Sequence, residues 1–79
     1  MPILPEQSRA GRALLNWSQA QLAKAAKVAR ATLAEFESGR RVPYARTLND
    51  IKAALEVAGV EFTNADEPGV KLRRRKTGC

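Results

Sequence analysis

Histidine is absent from this sequence, and cysteine, tryptophan and tyrosine each occur once. Without histidine, the side chain that most often moves protons near neutral pH is missing. The one cysteine, Cys79, is the final residue and has no base beside it, so it makes a poor nucleophile and no internal disulfide. A reducing, cytoplasmic setting fits that usage. No Cys/His cluster offers transition-metal spacing, and the only aspartates, Asp50 and Asp66, stand far apart. A glycine-rich phosphate loop is also missing. These absences point away from an enzyme and predict no cofactor and no metal. No apolar run approaches the roughly twenty residues a membrane span needs. The opening MPILPEQSR lacks the basic-then-apolar order of a secretory signal. The expectation is a cytoplasmic protein, complete from Met1, with no membrane partner.

Acids are scarce as well: eight Asp and Glu face fourteen Lys and Arg, for a formal charge of +6 over 79 residues. That length supports one domain with one small core. The charge favours an anionic partner, nucleic acid first. Much of the excess lies in KLRRRK, residues 71–76. A solvated tail and a phosphate-binding tail both account for it.

What is present is helical periodicity. Pro5 suits a first helical turn, and Ala10, Ala13, Leu14 and Trp17 recur on one face, which predicts a helix over Glu6–Leu15. Ser18 and Gln21 form a capping box that starts a second helix, with Leu22, Ala23 and Ala26 buried. The pattern resets at Lys27-Val28-Ala29. A short third helix, Arg30–Ser38, then turns Leu33 and Phe36 inward and Arg30, Ala31 and Glu35 outward, before Gly39 ends it. Leu48, Ile51, Leu55 and Ala58 predict a fourth helix over Tyr44–Ala58. The period then changes to two at Val60–Thr63 and Val70–Arg73, with turn formers from Asn64 to Gly69 between them. Two short strands follow from this, as a hairpin or as part of a sheet between subunits.

Residues 18–39 are the informative stretch: two short helices across a tight turn, an arrangement that holds the second helix proud enough to enter a major groove. The segment resembles the Xre/Cro, or phage-repressor, family of helix-turn-helix regulators, over roughly residues 8–58. Three blocks carry the resemblance: Ser18-Gln19 with Leu22-Ala23; Val28, Thr32, Leu33, Phe36, Glu37 and Gly39; and Pro43, Thr47, Leu48, Ile51, Ala54 and Leu55. It implies a mainly α fold, a four-helix phage-repressor-like DNA-binding domain followed by two short C-terminal strands. It also implies that Gln19 binds a phosphate and braces the third helix. Arg30, Ala31, Thr32 and Glu35 would face the groove, and Arg40 and Arg41 would hold the sugar-phosphate backbone. Arg12 and Glu37 would form a structural ion pair. The chemistry agrees: an arginine fork reads guanine, a methyl meets thymine, and a carboxylate accepts from cytosine. Two positions depart from the family. Lys27 stands where glycine is usual, and Ala29 stands where a capping hydroxyl or amide is usual.

The resulting division is a helix-turn-helix domain over 1–59, a strand segment over 60–73 that could dimerise the chain, and a basic tail over 74–79. One short helix reads few base pairs, so the expectation is a homodimer on an inverted repeat of double-stranded DNA, acting as a repressor or autoregulator. Val60, Phe62, Val70 and Leu72 are the candidate dimer contacts, with capping of the protomer's own core as the alternative. A regulatory protein partner fits a chain with no room for a ligand domain. An antitoxin, or an interaction module whose basic tail contacts RNA, are the competing readings.

Overall fold

The computed structural model describes residues 3–63 and 68–73. Four helices, α1 (Pro5–Leu15), α2 (Gln19–Ala26), α3 (Arg30–Glu37) and α4 (Ala45–Val57), precede two strands, β1 (Val60–Thr63) and β2 (Gly69–Leu72). Positions 64–67 of the expected turn and the whole tail, 74–79, lie outside the described residues.

Each boundary has a local cause. Pro5 occupies the first turn of α1, where its missing N–H leaves nothing unsatisfied, and Asn16 ends the helix in the left-handed conformation at φ 60°. At the start of α2 the Gln21 N–H donates to Ser18 Oγ at 3.1 Å. In return the Ser18 N–H donates to Gln21 Oε1 at 2.8 Å. This is the reciprocal cap expected from the sequence. Ser38 caps α3 rather than joining it, and Tyr44 and Ala58 cap α4 in the same way.

Leu22, Leu33, Phe36, Ile51 and Leu55 form the centre of the core, joined by Ile3 and Val60 from the chain on either side. The buried side of α1 is not the one its apolar periodicity predicts. Gln7, Ser8 and Gly11 are buried, whereas Ala13 and Leu14 are exposed and Ala10 is half-buried. The reason is close approach: a Cβ on Gly11 would lie 3.3 Å from both Leu55 methyls. Only a small residue fits there, and the polar neighbours are satisfied by hydrogen bonds, so burial on this face does not track hydrophobicity.

The strands pair antiparallel within the chain, from Val60 opposite Leu72 to Thr63 opposite Gly69. β2 thus begins one residue earlier than expected and leaves Arg73 just outside, its N–H donating to the Gly59 carbonyl at 2.7 Å. The hairpin packs on α1 and α4 and shares their core rather than standing apart. Of the candidate dimer contacts, Val60 is 1% exposed in the core, and Phe62 and Val70 are partly buried against it. Leu72 alone remains substantially exposed, at 48%.

Candidate nucleic-acid interface

α2 and α3 meet across Lys27-Val28-Ala29. Lys27 adopts φ 60°, the left-handed conformation that glycine takes at no cost and that lysine takes with strain. Its N–H donates to the Lys24 carbonyl, and the Val28 N–H reaches the Ala23 carbonyl at 3.0 Å, which closes the C-terminus of α2. Val28 folds back onto the core. Ala29 then has the extended backbone of a cap, φ −67° and ψ 138°, but no side-chain atom to bond the free N–H groups of α3.

α3 is amphipathic in a way that faces one side outward. Leu33, Phe36 and Glu37 are buried, while Arg30 and Ala31 are exposed and Thr32 and Glu35 are half-buried. Arg30 is the first residue of the helix. A cation there opposes the positive end of the helix dipole, so the first turn carries an unfavourable charge as well as a missing cap. Local stability does not explain that choice, whereas a phosphate or base edge in front of it would. Just past α3, the Arg40 and Arg41 side chains are exposed, and Arg41 reaches Glu35 Oε1 at 3.5 Å, an open and weak pair.

Two shallow grooves meet at Thr32, Tyr44 and Thr47. Lys27 and Arg46 line one and Arg41 lines the other, so cations from the turn, the loop and α4 converge beside α3. Asp50 is the acid on this rim. Sequence reasoning did not single out Arg46 or Tyr44. The signal available was position, since both flank the start of α4; the structure adds that Tyr44 is 85% exposed.

Behind α3 lies a buried polar cluster centred on Glu37, which is 2% exposed. Arg12 donates to both carboxylate oxygens, with Nη2 2.8 Å from Oε1 and Nε 3.0 Å from Oε2. Ser8 Oγ donates to Oε2 at 2.5 Å and Gln19 Nε2 to Oε1 at 3.1 Å. Arg9 donates to the Glu37 carbonyl oxygen, and Arg12 Nη1 to the Trp17 carbonyl. Burial alone would raise the Glu37 carboxyl. The hydrogen bonds from Arg12, Ser8 and Gln19, with the Arg12 charge, outweigh it and hold the group below its ordinary value of 4.5. One carboxylate thereby ties α1, the start of α2 and the end of α3. Gln19 is seated in this cluster, so its amide braces α3 from behind. Ser8 and Arg9 went unnoticed in the sequence; Ser8 stands one helical turn before Arg12 on the same face, and that spacing was the available clue.

A protein-family model described as helix-turn-helix matches residues 9–62, more than half of the chain. No curated protein matches it.

Proposed function

The chain belongs to the Xre/Cro-like helix-turn-helix family of DNA-binding transcriptional regulators, and on that premise we propose that it is a sequence-specific repressor or autoregulator that binds an inverted repeat as a homodimer. The observation that carries this reading is the exposed first turn of α3. Arg30 and Ala31 stand free of the body, while the opposite side of the same helix is anchored by Leu33, Phe36 and Glu37. Arg30 reads a base edge, with guanine O6 and N7 as the matched acceptors, and Ala31 and Thr32 offer methyl groups to thymine. Glu35 accepts from cytosine N4 or excludes wrong registers. Arg40, Arg41 and Gln19 hold the phosphates that set the helix in its groove. Seated on a promoter, a body of this size acts by occluding polymerase.

The test begins with fragments selected from the host genome and continues with shift assays at several salt concentrations. Arg30→Ala is expected to cost about 1–3 kcal/mol on the selected sequence and to relax preference at one base position. Arg40→Ala is expected to weaken all duplexes alike and to flatten the salt slope by about one. Equal, salt-insensitive behaviour of both variants would remove the DNA-reading assignment and leave a protein-interaction module.

A further inference from the structure

The helical part of the chain accounts for little of its net charge. Residues 1–70 hold nine Lys and Arg against all eight Asp and Glu, which leaves +1. Lys71, Arg73, Arg74, Arg75 and Lys76 raise the total to +6 with no acid among them. Lys71 lies on β2 opposite Glu61, 3.7 Å from its carboxylate in an open pair. Arg73 is exposed and joins no ion pair among the described residues. Arg74, Arg75 and Lys76 follow it, outside the described residues.

The root of this basic run is fixed, and its place points to a partner. The Arg73 N–H donates to the Gly59 carbonyl at 2.7 Å, just past the last strand pair, Val60 with Leu72. Arg73 also lines a groove with Leu14 and Leu15, in the last turn of α1. Four residues on from Leu15 stands Gln19, the first residue of α2, whose amide reaches the Glu37 cluster behind α3. That stretch of chain is at most about 14 Å long, and three residues such as Arg74–Lys76 span about 10 Å when extended. Their charges therefore come within reach of a phosphate held by Gln19. The acids near the root are Glu56, in the last turn of α4, and Glu61, already opposite Lys71. Asp50 lies with Lys27 in the grooves on the α2 side of α4 and does not line this one. Two carboxylates against five cations leave an excess. Arg73–Lys76 include no aromatic ring to stack a base and no apolar face to enter a bilayer, which disfavours single-stranded RNA and a membrane surface. Duplex DNA offers one charge per about 1.7 Å, a match for adjacent cations. We propose that Arg73–Lys76 form an arm that lies on the DNA backbone beside the start of α2 and extends the contact beyond α3. The proposal rests on the DNA reading above. Side chains alternate along an extended arm, so about two of the four cations meet phosphates at once.

The test combines Arg73→Gln, Arg74→Gln, Arg75→Gln and Lys76→Gln in the full chain and compares duplex binding with wild type across salt. The variant's salt slope is expected to be flatter by about two. Raising salt from about 50 to about 200 mM should then cost wild type about tenfold more affinity than the variant. Preference for the selected fragment over mixed sequence should be unchanged, because phosphate contacts read no base. Thermal denaturation should be unchanged as well. Cys79 is the only cysteine, so a radical-generating iron chelate couples there alone. Its cuts on the selected fragment should fall within a few nucleotides on one side of the base read by Arg30. Equal slopes with specific binding intact, or cuts spread evenly along the fragment, overturn the arm and leave the DNA reading standing. A loss larger on single-stranded RNA than on duplex assigns the run to RNA and also overturns it. An unchanged slope with a lower Tm assigns the run to Glu56 and Glu61 instead. A wild type that ignores every duplex sinks both the arm and the reading beneath it.

Discussion

Glu37 is the residue on which α3 depends from the inside. Its carboxylate is out of water, and Arg12 supplies its only counter-charge among the described residues. Breaking such a pair from one side strands a buried charge at a cost of roughly 3–5 kcal/mol, comparable with the whole stability of many small domains. Arg12→Met is therefore expected to lower the denaturation midpoint severely. Its apparent loss of DNA affinity should follow the unfolded fraction, recovering when folding is restored by cooling or osmolyte. A loss that persisted in fully folded protein would give Arg12 a direct role on DNA instead. The acid limb of stability has the same origin. Because the folded Glu37 titrates below its ordinary value, its contribution is full above that value and drains as pH falls through the folded one. Denaturation midpoints measured down to strongly acid pH should fall more shallowly in Glu37→Gln than in wild type. The pairing of Arg12 with Glu37 came from family resemblance, not from composition. Ser8 is hard to single out because a serine between Gln7 and Arg9 reads as polar helix surface, and only its spacing one turn before Arg12 points inward.

At the scale of elements, the turn between α2 and α3 carries two local costs. Lys27 is held at φ 60°, and Ala29 caps without an acceptor. Lys27→Gly should remove strain of about 1 kcal/mol, and Ala29→Ser should add a bond to the free N–H groups of α3 worth about 1 kcal/mol. For a domain of this size each kcal/mol moves Tm by roughly 4–8 °C. Scanning calorimetry of the two variants and their combination checks this, and a Tm no higher than wild type would mean the turn has relaxed into a geometry it prefers. Lys27→Gly also removes a cation from the rim beside Thr32, so its DNA affinity should fall while its stability rises. The helices were legible because capping and turn chemistry are local: Ser18 with Gln21, Gly39 and Pro43 mark their boundaries without reference to the rest of the chain. The buried face of α1 was not. There the deciding fact is that Gly11 meets Leu55, a contact 44 residues away in sequence, and apolar periodicity carries no information about such an approach. The strands show the same division: alternation located Val60 and Phe62, but could not say whether their inward face met this core or another subunit's.

For the whole molecule, cations outnumber acids on the side of α3. Lys27, Arg30, Arg40, Arg41 and Arg46 gather around α3 and its flanking loops, with Glu35 and Asp50 the acids beside them. That excess suits an approach to a polyanion. The number of protomers on DNA then has an electrostatic signature. If each protomer neutralises about three to five phosphates, the plot of log K against log salt has a slope of roughly −3 to −4.5 per protomer on B-form DNA. A duplex carrying an inverted pair of half-sites about one helical turn apart (~34 Å) should double that value. A duplex with a single half-site should not. A wild-type slope that is the same on both duplexes would mean that one protomer suffices, and the two-fold arrangement would have to be abandoned even with the base-reading role of Arg30 intact.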